Sequence, residues 1–232
     1  MIKLILFDLD NTLYPTSKQV KKCRESAIKA MIKRGLPGSE KELEIKLNCI
    51  IKKLGSNNEK HLNTLVKQTK IEKNKHNAII SAGVTAYHIT KQRIMKTYPD
   101  TKKTLDELKK RKITIGILTQ GVTIKQWDKI NRLGLYKYFN ENVWVVSDEQ
   151  SKKEAIKEIL KKYPIKKEEI IIVGDRLDTD IKTANETGLI SVQILQGPYA
   201  DKKEDNIKPD HTIKKLKEIT GILNKKTLNK KQ

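Results

Sequence analysis

The chain has 232 residues, 37% of them hydrophobic, and a formal net charge of +21. That length can bury a sizeable core, and its longest apolar runs are strand-sized, which excludes a membrane-spanning helix. Two cysteines, Cys23 and Cys49, have neither CxxC nor metal-ligand spacing, which excludes a disulfide scaffold and a thiolate metal centre.

With no leader-like run ahead of the first strand, a reduced, cytoplasmic protein is expected, off the membrane and monomeric or homodimeric. The charge invites a nucleic-acid partner. All but six of the 49 basic residues are lysine, however, spread over nearly every segment with few aromatic residues beside them. Arginine is the residue suited to bidentate phosphate and base-edge contacts, and stacking platforms need aromatics. The balance therefore argues against DNA or RNA and reads as a lysine-rich surface, whose field would still draw in anionic substrates.

Leu4-Ile5-Leu6-Phe7 is a continuous apolar run, the pattern of a strand buried on both faces, and it stops at Asp8-Leu9-Asp10-Asn11-Thr12. In open parallel sheets ligands bind beyond the carboxyl ends of strands. Two acids there suit a divalent cation and a phosphate, because the cation cancels their repulsion. Thr16 or Ser17 is placed to cap the next helix. Up to about residue 96 only helical periodicity follows, in four segments. Val20, Cys23, Ala27, Ala30 and Met31 mark the first stripe, Leu43, Leu47, Ile50 and Leu54 the second, and His61, Leu62, Leu65 and Val66 the third; the fourth runs from Ala78 to Met95. His76 and His88 show no carboxylate or metal-ligand partner at helical spacing and read as structural or exposed.

A core helix is predicted from Pro99 to Lys112, then a second buried strand, Ile113 to Thr119, ending in Thr119-Gln120-Gly121. A hydroxyl with free backbone amides at a glycine turn makes a phosphate cradle. Val122–Leu133 reads as a helix and Val143–Ser147 as a third strand. Lys152 and Lys153 open the helix after it, where a cation faces the positive end of the helix dipole; an anion must repay that cost, or the side chain points to water. The fourth strand, Ile170–Val173, runs into Gly174-Asp175-Arg176-Leu177-Asp178-Thr179-Asp180. Three acids in six residues repel one another unless a cation sits among them, and oxygen-only ligands suit Mg2+. Asp178 reads as a helix N-cap or a supporting group. Leu189–Leu195 is a fifth strand, Pro209-Asp210-His211 leads to a last helix carrying Ile213, Leu216, Ile219, Ile222 and Leu223, and the Lys/Asn-rich tail from Asn224 reads as frayed.

Taken together, Asp8-x-Asp10-x-Thr12, Thr119, Lys152 and Gly174-Asp175…Asp180 resemble, in order and position, the four motifs of the haloacid dehalogenase-like (HAD) hydrolases. The helical insertion resembles the C1 cap of the phosphoglycolate-phosphatase-like subfamily. The resemblance reaches archaeal members acting on small metabolites such as phosphoglycolate or glyceraldehyde 3-phosphate. It implies an α/β fold: a Rossmann-like parallel sheet with helices on both faces, residues 1–14 and 97–232, plus an all-α cap, residues 15–96. It also implies a Mg2+-dependent phosphatase of small phosphorylated metabolites. Asp8 would be the nucleophile forming an aspartyl-phosphate, and Asp10 the general acid and base. Thr119 and Lys152 would stabilise the phosphoryl group, with Lys153 as the alternative lysine. Thr12, Thr119, Gln120, Gly121 and Lys152 would bind substrate, and Mg2+ would be held by Asp8, the Asp10 carbonyl and Asp175, supported by Asp180. Gln120 stands where many relatives carry Asn, and the lysine lacks the common Lys-Pro context. A phosphomutase of the same build, or a basic nucleic-acid-binding protein on this scaffold, are the alternatives; intact motifs argue against the second.

Overall fold

The computed structural model describes residues 1–147, 151–204 and 206–224; the tail beyond 224, read above as frayed, lies outside the described residues. In chain order the elements are β1 (Leu4–Phe7), α1 (Thr16–Lys33), α2 (Glu40–Leu54), α3 (His61–Lys67), α4 (Lys73–Ile94), α5 (Thr101–Lys110), β2 (Thr114–Gln120), α6 (Thr123–Arg132), α7 (Tyr136–Phe139), β3 (Val143–Val146), α8 (Lys152–Lys162), β4 (Ile170–Gly174), α9 (Lys182–Thr187), β5 (Ile190–Ile194), β6 (His211–Ile213) and α10 (Ile219–Asn224). They fall into two compact units, residues 1–17 with 96–232, and residues 18–95.

The first unit is built on a six-stranded sheet of order β3-β2-β1-β4-β5-β6, parallel at every pairing. All four residues of β1 are buried because it lies in the middle of the sheet with helices on both faces. Side chains alternate between those faces. Leu4 and Leu6 join Ala155, Ile156 and Ile159 of α8 and Ala184 of α9. Phe7 turns the other way, its ring 6.4 Å from that of Phe139 in α7. From β1 the chain goes to β2 and β3 on one side and to β4, β5 and β6 on the other. The strand order thus reverses between β1 and β4, and the crevice of such a sheet opens at their carboxyl ends. Asp8 and Asp175 follow those two strand ends.

The second unit is the four helices α1 (from Lys18) to α4. Its core gathers Ile28, Met31, Leu43, Leu47, Ile50, Leu65, Val66 and Ile79. Gly83 of α4 leaves room for Met31 there: a Cβ would lie 2.6 Å from its sulfur, and the methionine side chain would have to shift. His76 Nε2 lies 3.2 Å from the Ile71 carbonyl and His88 stacks edge-on against Tyr87, so both are tied to their own helical surroundings.

Four local expectations are corrected. Ile213 belongs to β6, a sixth strand, and the last helix starts only at Ile219; a three-residue edge strand is too short to show a period. Helix α4 begins at Lys73, five residues before the apolar stripe does. Neither Thr16 nor Ser17 caps α1: the Asn11 side chain accepts from the Ser17 N–H at 3.0 Å, while the Thr16 hydroxyl turns to Asp10. Asp178 is no cap either; it pairs with the Arg176 guanidinium in the π-helical turn Leu177–Ile181.

Candidate active site

Asp8 is held at the mouth of the sheet by its N–H, which donates to the Val173 carbonyl at 2.8 Å and continues the β1–β4 ladder. Lys152, the first residue of α8, is buried and reaches under the same mouth. Its ammonium donates to Asp8 Oδ1 at 2.8 Å and to Asp180 Oδ1 at 2.5 Å. The cost of a lysine at a helix N-terminus is thus offset by two carboxylates. Lys153 instead pairs at the surface with Glu186.

Asp180 is set by backbone geometry. Its Oδ2 accepts from the Arg176 N–H at 3.2 Å. Gly174 is needed beside it, because a Cβ on residue 174 would overlap the Asp180 carboxyl group. Asp175 is buried as well, and its Oδ2 has no hydrogen-bond partner among the described residues. One ligand oxygen each from Asp8, Asp175 and Asp180 lie within 4.8 Å of one another.

Three acids and one ammonium leave this cluster short of positive charge. Burial pushes Asp8 up to about 7, Lys152 pulling against it and the charges of Asp180 and Asp10 adding to it. Burial, then the charges of Asp8 and Asp180, pushes Asp175 up to about 8. Burial would lower Lys152, but Asp180 and Asp8 outweigh it and hold the ammonium above the usual lysine range. An orphaned buried carboxylate oxygen beside two further acids is the donor set of a cation site. The residues present therefore fit a bound metal ion.

Asp10 lies apart from this cluster, on the turn after β1. Its Oδ1 accepts from the Tyr14 hydroxyl at 2.8 Å and the Thr16 hydroxyl at 2.7 Å. Lys129 of α6 donates to both of its oxygens, at 2.8 and 2.7 Å, and Gln126 Nε2 lies 3.3 Å from Oδ2. Burial would raise Asp10, but Lys129 and the two hydroxyls hold it below the usual carboxylate range. Lys129 and Gln126 went unread in the sequence. They sit i, i+3 on a helix opening two residues after Gly121, and nothing in their spacing points across 116 residues to Asp10.

Thr119, buried near the end of β2, accepts from Gln126 Nε2 at 2.7 Å. The glycine turn beside it differs from expectation. The Gly121 N–H donates to the Val146 carbonyl at 2.9 Å, so the amide expected to be free is spent extending the β2–β3 ladder. The Gln120 carbonyl accepts from Gln126 at 3.0 Å. Thr12 is fully buried, and its hydroxyl has no hydrogen-bond partner among the described residues.

Residues 5–194 match the family model described as haloacid dehalogenase-like hydrolase. The chain is 43% identical over 228 residues to the glyceraldehyde 3-phosphate phosphatase of Methanocaldococcus jannaschii, covering 96% of this chain and 97% of that one. It is 38% identical over 229 residues to the protein of the same name from Methanopyrus kandleri, covering 96% and 97%. Among solved structures it resembles the HAD-hydrolase YfnB of Bacillus subtilis bound to magnesium, at a TM-score of 0.68 and 19% identity, over 96% of this chain and 99% of that one. Sequence relatives and shared architecture agree: the chain belongs to the haloacid dehalogenase-like hydrolase family.

Proposed function

We propose that the protein is a Mg2+-dependent phosphomonoester hydrolase of small phosphorylated metabolites, working through an aspartyl-phosphate, with glyceraldehyde 3-phosphate as its substrate. The observation that carries this reading is the buried Asp8–Lys152–Asp180 chain beside the unpartnered Asp175 oxygen. The substrate rests on the two full-length relatives of that name. The helical unit is read as the family's cap.

Asp8, Asp175 and Asp180, with the Asp10 main-chain carbonyl, would hold the Mg2+. Bound there, the ion supplies charge neutralisation between carboxylates and the phosphate dianion. The Asp8 carboxylate attacks phosphorus; the Asp8–phosphorus bond forms as the ester oxygen leaves. Asp10, which Lys129 and the two hydroxyls keep ionised in the resting site, gives that oxygen a proton only after taking one up. Water then attacks the aspartyl-phosphate, Asp10 takes its proton back, and Asp8 is released with inorganic phosphate. The Lys152 ammonium and the Thr119 hydroxyl stabilise charge on the transferring group. The buried Thr12 hydroxyl is read as a support of the same loop.

Hydrolysis of p-nitrophenyl phosphate is expected with Mg2+ and is expected to stop with EDTA, followed by preference for glyceraldehyde 3-phosphate over 2-phosphoglycolate in a panel. No release from any ester would overturn the reading. Metal and protons should also compete. In the metal-free protein Asp8 and Asp175 are raised to about 7 and about 8, above an ordinary value of 3.8. Their contribution to stability is full below that ordinary value and lost as pH rises through 7 to 8. The metal-free Tm should therefore fall between pH 5 and 8.5, and Mg2+ should raise Tm more at pH 8 than at pH 5.5. An equal shift at both pH values would count against these acids as the ligands.

A further inference from the structure

We propose that Gln126 and Lys129, one turn apart on α6, are positioning residues that set the general acid Asp10 and the phosphate donor Thr119 together; the assignment rests on the phosphatase reading above.

Five donor contacts from four residues converge on the Asp10 carboxylate. Tyr14, Thr16 and Lys129 reach Oδ1, and Lys129 and Gln126 reach Oδ2. Tyr14 and Thr16 come from the chain beside Asp10, so they can fix its side chain only relative to its own loop. Lys129 and Gln126 come from the helix after β2 and fix it relative to the sheet mouth. An ammonium nearly equidistant from both oxygens fixes where the carboxylate sits, and the off-axis donors on Oδ1 and Oδ2 set its rotation. Lys129 keeps 19% of its side-chain surface exposed, so this contact stands at the edge of the site and not in the core.

The Gln126 amide has a second task. Two of its neighbours, the Gln120 carbonyl and the Asp10 carboxylate, only accept hydrogen bonds, so the NH2 group must face them. Its two hydrogens serve the two nearest acceptors, Thr119 Oγ1 at 2.7 Å and the Gln120 carbonyl at 3.0 Å, and the longer contact to Asp10 Oδ2 at 3.3 Å is shared. With a lone pair occupied by Gln126, the Thr119 hydroxyl keeps its proton for another acceptor. An incoming phosphate oxygen is such an acceptor. Gln126 thus presets Thr119 as a donor, and it is itself only 2% exposed.

The two residues therefore carry separable consequences. Misplacing Asp10 harms only leaving groups that need a proton; p-nitrophenolate departs without one, whereas an alkoxide does not. Misplacing Thr119 harms every ester. The test compares kcat/KM, which reports steps up to phosphoryl transfer, for glyceraldehyde 3-phosphate and p-nitrophenyl phosphate with Mg2+ present. Lys129→Met, which keeps the apolar stem, is expected to lose about 10²-fold on the alkyl ester and under about threefold on the aryl ester. Lys129→Arg should recover part of the alkyl loss. Gln126→Ala should lose about tenfold on the aryl ester, through Thr119, and more on the alkyl ester, through its contact with Asp10. Circular dichroism and Tm establish that each variant is folded, and Gln126→Glu provides a second variant of similar volume should Gln126→Ala fail to fold. Equal losses on both esters in Lys129→Met, or none, would overturn the assignment of Lys129 while wild-type activity leaves the phosphatase reading standing. A wild type inactive on both esters would overturn that reading and this one with it.

Discussion

Asp8→Asn is expected to abolish turnover while the fold survives. The variant removes the attacking carboxylate, and loss of a nucleophile costs on the order of 10⁴-fold or more in kcat. The shape of the residue hardly changes. Its backbone N–H still donates to Val173, its amide oxygen can still accept from Lys152, and Lys152 keeps Asp180. One of three buried acids that repel one another is lost, so the metal-free Tm should stay level or rise. Residual p-nitrophenyl phosphate hydrolysis near the wild-type rate, from folded variant, would remove Asp8 from the mechanism. The same chain of reasoning makes trapped phosphate diagnostic: rapid acid quench of wild type should recover phosphate covalently bound to protein, and the Asn variant should recover none.

Lys152→Ala should be damaging in two ways at once. It leaves Asp8 and Asp180 buried and facing each other without their shared cation. Removing one partner from a buried ion pair costs about 3–5 kcal/mol, which for a chain of this size lowers Tm by roughly 10 °C. The variant also loses a fixed positive charge aimed at the transferring phosphoryl group, an effect on the order of 10²–10³-fold in kcat/KM. Saturating Mg2+ should restore part of the Tm and little of the rate, since an ion among the acids replaces the missing charge but not its place beside the nucleophile. Lys153→Ala is the control. Its side chain is 48% exposed and, among the described residues, pairs with a surface glutamate, so a change within about 0.5 kcal/mol and unaltered kinetics are expected. A reversal of the two variants would assign the role to Lys153.

The choice between these two lysines illustrates how far the sequence reaches. Both open the same helix and both have the same local reason to be unfavourable there, so spacing alone left them as alternatives. The helix phase relative to the sheet separates them: residue 152 turns under β1 and residue 153 turns to the surface. No local pattern encodes that phase, because it depends on how α8 packs its Ala155, Ile156 and Ile159 face against Leu4 and Leu6.

The acids were readable for the opposite reason. Asp8 and Asp175 each end an apolar run buried on both faces, and a parallel sheet places such residues at the same rim whatever the details of the loops. Gly174 was readable as part of a motif, but its cause, a carboxyl group lying where a Cβ would be, appears only in three dimensions. Gly121 went the other way. Its φ of +146° fits the flexible turn expected, yet the turn spends its amide on Val146 instead of leaving it for a phosphate.

The sequence by itself therefore determined five of the six strands and the helical insertion, the resemblance to the family, and the acids at the strand ends. The elements are written in hydrophobic period, the acids in charge at the ends of apolar runs, and the family in the order and position of its four motifs. Only the tertiary structure decided which lysine reaches Asp8, that β6 completes the sheet, and that Gln126 and Lys129 hold Asp10 and Thr119. Those are contacts between segments far apart in the chain, and their geometry is set by packing, to which no short stretch of residues responds on its own.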